Sequence, residues 1–405
     1  MKHSLHTVAF AVFAAAWTLA AAPARSAEPQ PPMETMETLP RDAKLALFNA
    51  QQHVEKGEID KAVDDLAKYV RDHDKKKDDS YLMHYQLAGM LVQADHRDEA
   101  LAQYERTVAL EPRYAPGWIG VGETAYGLGN YKRAAEALQT GYQRMDEKRP
   151  DVLYYAAVAR VQSGDAAGAL PLLEELTGGK IGKPKFEWYR GLVSACLQAD
   201  DNEHGQRAIA SMLDRFSAQA DAWYLTFQYY ASVSDYRQAA VALTMTGYLR
   251  PLTHQEEIQL GDLYSAIEAP AAAADCYATA LSDTAGPREV ERMASAYLAS
   301  YQPDAALDVL ERGIKREPTF RLWSLLGDLH VMENRFGQAY QAFEESSHLD
   351  PAQPRPHLMM GYCALELNRV DDALAQLAIA AADDEYAERA QVLIRRAQQL
   401  ARTTP

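Results

Sequence analysis

Apolar residues recur along most of the chain at intervals of three and four positions, the spacing that places them on one face of an α-helix. Residues 118–138, WIGVGETAYGLGNYKRAAEAL, show this spacing twice, and a Gly-Asn break at 129–130 separates the two runs. The pattern predicts two short helices joined by a tight turn.

The two-helix pattern returns at a nearly fixed interval. Residues 321–351 repeat the mutual spacing of Trp118, Gly122, Ala134 and Leu138. An alanine after the turn recurs at Ala62, Ala100, Ala134, Ala169, Ala239, Ala273, Ala306, Ala339 and Ala373. The steps are 33 to 38 residues except for one of 70, which predicts a hidden unit near 185–219 with its alanine position at His204. The sequence therefore predicts ten units.

A unit of about 34 residues with Trp, Leu-Gly, Tyr, Ala, Phe and a closing Pro resembles the tetratricopeptide repeat (TPR) family. Four units end in the expected proline, at Pro112, Pro251, Pro318 and Pro351. The resemblance covers residues 43–387, and the unit near 185–219 departs most from the pattern. It implies an all-α fold, a right-handed superhelical α-solenoid of about ten TPR helix-turn-helix units with a C-terminal capping helix.

Small residues at fixed places explain why such units would pack closely. Gly or Ala at the eighth position and Ala at the twentieth allow two antiparallel helices to approach, and larger residues fill the remaining space. One pair cannot bury its apolar face alone, whereas stacked pairs can. We expect the stack to present a concave groove.

The ends of the chain differ from the repeats. Residues 1–27 have a basic start, an apolar run and small residues before a possible cleavage point, which predicts a secretory signal peptide; the alternative is a retained membrane anchor. Residues 28–42, rich in Pro and acid, predict a disordered leader, and 388–405 predict a capping helix and tail. Lys75, Lys76 and Lys77 fit a solvated loop better than a binding patch.

Composition narrows the possible functions. The 405 residues are 48% hydrophobic and 24% charged, which is typical of a folded protein, and the formal net charge of -16 argues against sequence-independent binding of nucleic acid. Cys196, Cys276 and Cys363 lie far apart and form no C-x-x-C pair. We interpret them as small buried apolar residues rather than as disulfide partners or reactive thiols.

The resemblance to TPR proteins implies that the first helix of each unit lines the groove, at positions two, five, nine, twelve and thirteen. Position five holds Leu47, Tyr85, Ile119, Tyr154, Tyr189, Tyr224, Ile258, Glu291, Ser324 and Leu358. Tyrosine offers a large contact area and a hydrogen-bonding hydroxyl, so Tyr85, Tyr154, Tyr189 and Tyr224 are candidates for gripping an extended peptide. The alternative is that their rings pack between neighbouring helices.

Charged residues at the same face form a second candidate site. Position two holds Arg288, Arg321 and Arg355 in three successive units, and position nine holds Asp262 and Asp328. Such arginines suit an acidic segment or a polyanionic glycan, although they also suit a ladder of surface ion pairs. Positions nine, twelve and thirteen contain no Lys, Arg or Asn, which disfavours the clamp for a C-terminal carboxylate that the resemblance would otherwise imply.

No pattern in the sequence indicates catalysis. The chain has no H-E-x-x-H, G-x-S-x-G or P-loop, and its 11 histidines are scattered. We therefore expect no enzyme activity, no cofactor and no metal site.

The sequence thus predicts an exported, periplasmic scaffold or adaptor that binds a protein or peptide. We expect it to bind no nucleic acid and not to be stably inserted in a membrane after the signal peptide is cleaved. The alternative is a glycan-binding accessory of polysaccharide export that uses the arginine row. The layout resembles periplasmic TPR proteins that accompany TonB-type energy transduction, outer-membrane assembly or exopolysaccharide export. No motif selects among these systems, and we favour the first.

Overall fold

A computed structural model describes residues 32–74, 79–280 and 285–403. These residues contain 21 α-helices and no β-strand, which confirms the all-α prediction. They divide into two compact units, unit 1 up to Asp146 and unit 2 from Glu147. The predicted signal peptide, residues 28–31 of the predicted leader and the lysines at 75–77 lie outside the described residues.

Unit 1 contains three helix pairs, each with a first helix and a second helix that pack together. They are α1 (Arg41–Glu55) with α2 (Ile59–His73), α3 (Tyr81–Gln93) with α4 (Arg97–Leu110), and α5 (Ala115–Gly127) with α6 (Tyr131–Arg144).

Unit 2 contains seven more pairs and a final single helix. The pairs are α7 (Pro150–Gln162) with α8 (Ala166–Thr177), α9 (Phe186–Gln198) with α10 (Asn202–Phe216), α11 (Ala220–Ser232) with α12 (Tyr236–Leu249), α13 (His254–Ala266) with α14 (Pro270–Ala280), α15 (Pro287–Ala299) with α16 (Pro303–Arg316), α17 (Phe320–Met332) with α18 (Phe336–Leu349), and α19 (Pro354–Glu366) with α20 (Val370–Ala380). Helix α21 (Ala387–Thr403) packs on α20 and α19, as a capping helix does.

The turn between the two helices of each pair contains one residue with φ in the left-handed region of backbone conformation. These residues are Gly57, Asp95, Gly129, Gly164, Asp200, Ser234, Glu268, Tyr301, Asn334 and Asn368. In nine pairs the recurring alanine follows this residue by five positions, and each of these alanines is 0% exposed. The turn residue therefore fixes the register of every pair.

The fifth pair shows that one sequence-based register was wrong by one residue. Its left-handed residue is Asp200, so the small position is Gly205 and not His204. Gly205 is buried, and a Cβ there would lie 2.5 Å from the hydroxyl of Tyr229 in the next pair. Alanine is absent from this place in the fifth pair, because the packing requires only a residue without a bulky side chain, and glycine meets that requirement.

Close approach inside a pair is visible where the eighth position is glycine. A Cβ added at Gly122 would lie 2.4 Å from Leu138, and one added at Gly261 would lie 2.5 Å from Tyr277. The large partner stands at position twenty-four in both pairs. Small and large residues therefore face each other across the two helices, as the sequence pattern predicted.

The described part of the predicted leader contacts unit 1. Ser80 donates a hydrogen bond of 2.7 Å to the Glu34 carboxylate, and the Tyr81 hydroxyl donates one of 2.8 Å to the Glu34 carbonyl. Leu39 is 3% exposed and joins the core formed by α1, α2 and α3. Helix α1 begins at Arg41, so the last two residues of the predicted leader, 41 and 42, are helical.

Candidate functional site

First helices of neighbouring pairs contact one another in unit 2, for example α15 with α17 and α7 with α9. Numbering each first helix from its first residue, we define the first-helix surface of unit 2 as positions two, five, six, nine and twelve of its first helices. Three pockets open along this surface, and the same positions recur in their walls.

The mixed-charge pocket, of about 890 Å³, lies between α13, α14, α15 and α17. It brings together three of the predicted site residues, Asp262, Arg288 and Arg321. Its other charged residues are Glu268, Glu291 and Arg292. Carboxylates and guanidinium groups are therefore equal in number in its wall.

Ion pairs across neighbouring first helices organise this pocket. Arg321 of α17 pairs with Glu291 of α15 at 2.9 Å, and Arg292 of α15 pairs with Asp262 of α13 at 3.5 Å. Tyr277 also donates a 2.7 Å hydrogen bond to Asp262. Burial raises the pKa of the Tyr277 hydroxyl to about 12, so the hydroxyl keeps the proton that it donates.

Arg288 differs from the other arginines of the pocket. It is exposed, and among the described residues it has no hydrogen-bond or ion-pair partner. Its guanidinium group offers five N–H donors, none of which is engaged by another described residue, and such donors suit an acidic group of a ligand.

Two of the three arginines in the predicted row are engaged in ion pairs. Arg355 lies outside the mixed-charge pocket and donates to both carboxylate oxygens of Asp328, at 2.8 and 2.9 Å. Burial raises the pKa of Asp328, and the hydrogen bonds from Arg355 oppose that shift. Arg321 and Arg355 thus form the ladder of ion pairs that was one of the two interpretations, while Arg288 does not.

The four predicted tyrosines do not share one environment. Tyr85 in unit 1 is half-buried against Tyr104 and Tyr114, with ring centroids 5.6 and 5.2 Å away. In unit 2, Tyr224 is half-buried beneath the Arg250 guanidinium, which lies 5.5 Å from the ring centroid. Both rings therefore pack against neighbouring side chains, as the alternative interpretation proposed.

Tyr154 is half-buried and lines a pocket of about 310 Å³ between α7, α8 and α9. Arg190 stands at position five of α9 and lines the same pocket. Of the tyrosines proposed to grip a peptide, Tyr154 is thus placed in a pocket wall of the first-helix surface.

The structure corrects the assignment of Tyr189. This tyrosine is 0% exposed, and its hydroxyl lies 3.0 Å from Ser211 and donates to the Thr177 carbonyl at 3.3 Å. The misassignment follows from the one-residue register error in the fifth helix pair, because position five of α9 is Arg190. Tyr189 is a core residue and cannot contact a partner from this position.

A third pocket was missed by the sequence analysis. The apolar pocket, of about 520 Å³, lies between α17, α19 and α21. Its wall consists of Val331, Leu358, Met359, Tyr362, Arg389, Val392 and Leu393. Neighbouring apolar residues on the capping helix were the available signal, but their meaning depends on how α21 docks.

The described thiols are unsuited to nucleophilic chemistry. Cys196, Cys276 and Cys363 are free and buried, which confirms their interpretation as small core residues. Burial raises the pKa of Cys196 and Cys276 to about 11 and that of Cys363 to about 12. Each is therefore a protonated thiol near neutral pH.

One group of side chains in unit 1 has metal-ligating atoms in proximity. Potential ligand atoms of Asp74, Asp79 and His84 lie within 4.8 Å of one another. Arg106 pairs with both carboxylates, and His84 lies 2.6 Å from the Gln103 side-chain oxygen. Because Arg106 already supplies a positive charge to both carboxylates, we interpret the group as an ion-pair network.

Comparison with known proteins supports the repeat assignment. Two models described as tetratricopeptide repeat match the chain, one at residues 85–150, 122–184 and 291–354, and the other at residues 330–396. Together the matches span about half of the chain. The chain belongs to the tetratricopeptide repeat family. TPR folds generally act as scaffolds for protein–protein interaction and are generally not catalytic.

Several solved structures are similar to this one. A tetratricopeptide repeat protein from Parabacteroides merdae is 12% identical, with 80% of this chain and 99% of that chain covered and a TM-score of 0.35. PilW, described as a type IV pilus biogenesis factor, is 17% identical, with coverages of 51% and 97% and a TM-score of 0.36. MamA is 18% identical, with coverages of 42% and 94% and a TM-score of 0.38. No curated protein matches the TPR chain.

In the part of the chain that the structure describes, no helix combines enough length with enough apolar residues to cross a bilayer.

Proposed function

We propose that this TPR protein is a non-catalytic scaffold that binds a partner protein on the first-helix surface of unit 2. The mixed-charge pocket is the principal contact in this proposal. The observation that carries it is Arg288, an exposed arginine without a partner among the described residues, at the wall of a pocket of about 890 Å³. A partner that supplies a carboxylate would complete its hydrogen bonds.

The charges of this pocket favour a protein segment over a polyanion. Three carboxylates, from Asp262, Glu268 and Glu291, stand among its three arginines. A polyanionic glycan would meet these carboxylates, whereas a peptide can present charges of both signs and hydrogen-bonding groups. The glycan-binding function predicted as the alternative from the arginine row is therefore the less favoured proposal.

The cell envelope is the compartment that we propose. Residues 1–27 carry the basic start, apolar run and small residues of an export signal, which would direct the protein to the periplasm of a Gram-negative cell. A scaffold there would join an envelope complex, and the TonB-type association favoured from the sequence is our suggested setting.

Affinity capture from the native cell envelope tests this proposal. Wild-type protein and the Arg288→Glu variant would be tagged and the captured proteins compared by mass spectrometry. Arg237→Glu is the matched control, because Arg237 is an exposed arginine on the second helix α12. We expect a protein that wild type and R237E retain and R288E loses. Identical sets of proteins for all three would contradict the proposed site.

Salt dependence of the same interaction separates the two candidate ligands. The affinity for a peptide held by a few charged groups and apolar contacts should fall only modestly as ionic strength rises. The affinity for a polyanion should fall steeply, because many screened charges contribute to its binding. Steep salt dependence, with glycan captured in place of protein, would favour the alternative.

A further inference from the structure

The capping helix α21 leaves part of its apolar face uncovered. It packs on α20 and α19 through Ala390 and Ala397, which are both 0% exposed. Val392 on the same helix is 52% exposed, and Leu393 is half-buried. This face forms one wall of the apolar pocket.

The opposite wall of the pocket continues the first-helix surface. Leu358, Met359 and Tyr362 stand at positions five, six and nine of α19, and Val331 stands at position twelve of α17. Positions five, six and nine of α15 and position twelve of α13 line the mixed-charge pocket in the same way. A partner segment that crosses the first-helix surface would therefore meet a charged pocket and then an apolar one.

Arg389 gives the apolar pocket a single positive charge. It is the one charged side chain in the pocket wall, and among the described residues it has no ion-pair or hydrogen-bond partner. Acidic residues on the neighbouring first helices have arginines of their own: Arg355 pairs with Asp328 at 2.8 Å and Arg396 pairs with Glu366 at 2.9 Å. The charge of Arg389 is thus available to an external carboxylate.

We infer that the apolar pocket binds a large aliphatic or aromatic side chain of the partner, and that Arg389 binds an acidic residue beside it. This inference rests on the proposed function and specifies the partner chemistry, an acidic segment with an apolar anchor. The apolar side chain is removed from water in the pocket, and the adjacent carboxylate accepts charge-assisted hydrogen bonds from Arg389.

A phage-displayed library of random 12-residue peptides, selected against the purified protein, provides the probe. We expect enriched sequences to carry Leu, Ile, Met, Phe or Trp within three residues of Asp or Glu. An enriched peptide would then be synthesised and its affinity measured by fluorescence anisotropy. Enrichment of sequences without such a pair of residues would overturn the inference.

Variants locate the peptide on the surface. We expect Val392→Asp to weaken binding about ten-fold or more, because it places a carboxylate in the apolar wall, and Arg389→Ala to weaken it about three- to ten-fold. Val241→Asp and Arg395→Ala are the matched controls. Val241 is 51% exposed on α12, and Arg395 is exposed on α21 outside the pocket wall. Both controls should retain wild-type affinity within about two-fold.

A double-mutant cycle distinguishes direct contact from an indirect effect. Replacing the peptide's apolar residue by alanine should weaken binding to wild type strongly and to V392D only slightly. The milder variant Val392→Ser, with thermal unfolding measured alongside, repeats the test if V392D disturbs α21. Equal losses in wild type and in the folded variants would overturn the assignment of the pocket.

Two further outcomes separate this inference from the proposed function. Peptides that bind R288E weakly but V392D normally would preserve the proposed function and overturn the apolar site. Peptides that bind R288E and V392D as tightly as wild type would overturn both the proposed function and this inference. Sedimentation analysis tests whether a second copy fills the pocket: a wild-type dimer that V392D converts to a monomer would also overturn the inference.

Discussion

Gly327 and Phe343 approach each other so closely that a Cβ added to Gly327 would lie 2.7 Å from the Phe343 ring. The pair joins α17 to α18, and Phe343 is 0% exposed. Gly361 and Leu377 repeat the relationship in the next pair, at 2.5 Å. Glycine at position eight therefore sets the distance between the two helices of these pairs.

Gly327→Ala should destabilise the protein, because the added methyl group meets a buried ring that has little space to move. We expect a loss of about 1–3 kcal/mol in the free energy of unfolding, measured by denaturant titration. Phe343→Leu in the same chain should recover part of the loss. Gly337→Ala is the control, since a Cβ there meets nothing within 4 Å. A G327A variant as stable as wild type would contradict this packing account.

Tyr301 occupies the left-handed turn position of the eighth pair, with φ of 57°, and is 83% exposed. A side chain in this region strains the backbone, and an exposed ring gains little to offset the strain. We expect Tyr301→Gly to raise the free energy of unfolding by about 0.5–1 kcal/mol. Asn334→Gly should change stability less, because asparagine tolerates this conformation. Destabilisation by Y301G in thermal unfolding would contradict the prediction.

Glu256 and Arg250 form a pH-dependent ion pair at the start of α13. Arg250 donates to both Glu256 oxygens at 2.6 and 2.7 Å, and the Thr253 backbone N–H donates to the same carboxylate at 2.8 Å. Arg250 chiefly lowers the pKa of Glu256 to about 2, from 4.5. The ionised carboxylate therefore stabilises the fold above about pH 4.5, and this contribution is lost as pH falls towards 2.

Glu256→Gln should lower the free energy of unfolding at pH 7 by about 1–3 kcal/mol, and the difference from wild type should shrink as pH falls below 4.5. Glu257→Gln is the control with the opposite sign. Burial raises the pKa of Glu257, so removing its charge should leave stability at pH 7 unchanged or slightly increased. A pH-independent difference for E256Q would contradict this role of the ion pair.

Arg288 and Arg355 should differ in their effect on partner binding. Arg288 has no partner among the described residues, whereas Arg355 is already engaged by Asp328. We expect Arg288→Ala to weaken binding of the captured partner by about ten-fold or more, and Arg355→Ala by less than about three-fold. Isothermal titration calorimetry checks both values. A larger loss for R355A than for R288A would show that the partner uses the other part of the arginine row.

The helix pairs were predictable because their determinants are local and periodic. The recurring alanine at position twenty identifies nine pairs directly, and Gly205 supplies the small residue of the tenth pair in place of alanine. A better signal was present in the fifth unit: Asp200 stands five residues before the small position, as the turn residue does in the other pairs. Using that offset would have placed Tyr189 in the core.

The candidate site was only partly predictable, because it depends on contacts between neighbouring helix pairs of unit 2. Asp262, Arg288 and Arg321 do line one pocket, but the sequence did not show that Glu291 engages Arg321 while Arg288 has no partner among the described residues. Such pairing depends on side-chain geometry between successive first helices. The apolar pocket was missed for a related reason, since its wall combines residues from α17, α19 and α21.

Site-specific photo-crosslinking in the native cell tests the central claim most directly. A benzophenone amino acid would replace Ser295 in the mixed-charge pocket and, as a control, Tyr248, which is 79% exposed on α12. Our account predicts a crosslinked partner protein from position 295 that is absent from position 248 and is lost when Arg288→Glu is added. A partner crosslinked only from position 248, or equally from both positions, would contradict binding at the first-helix surface of unit 2.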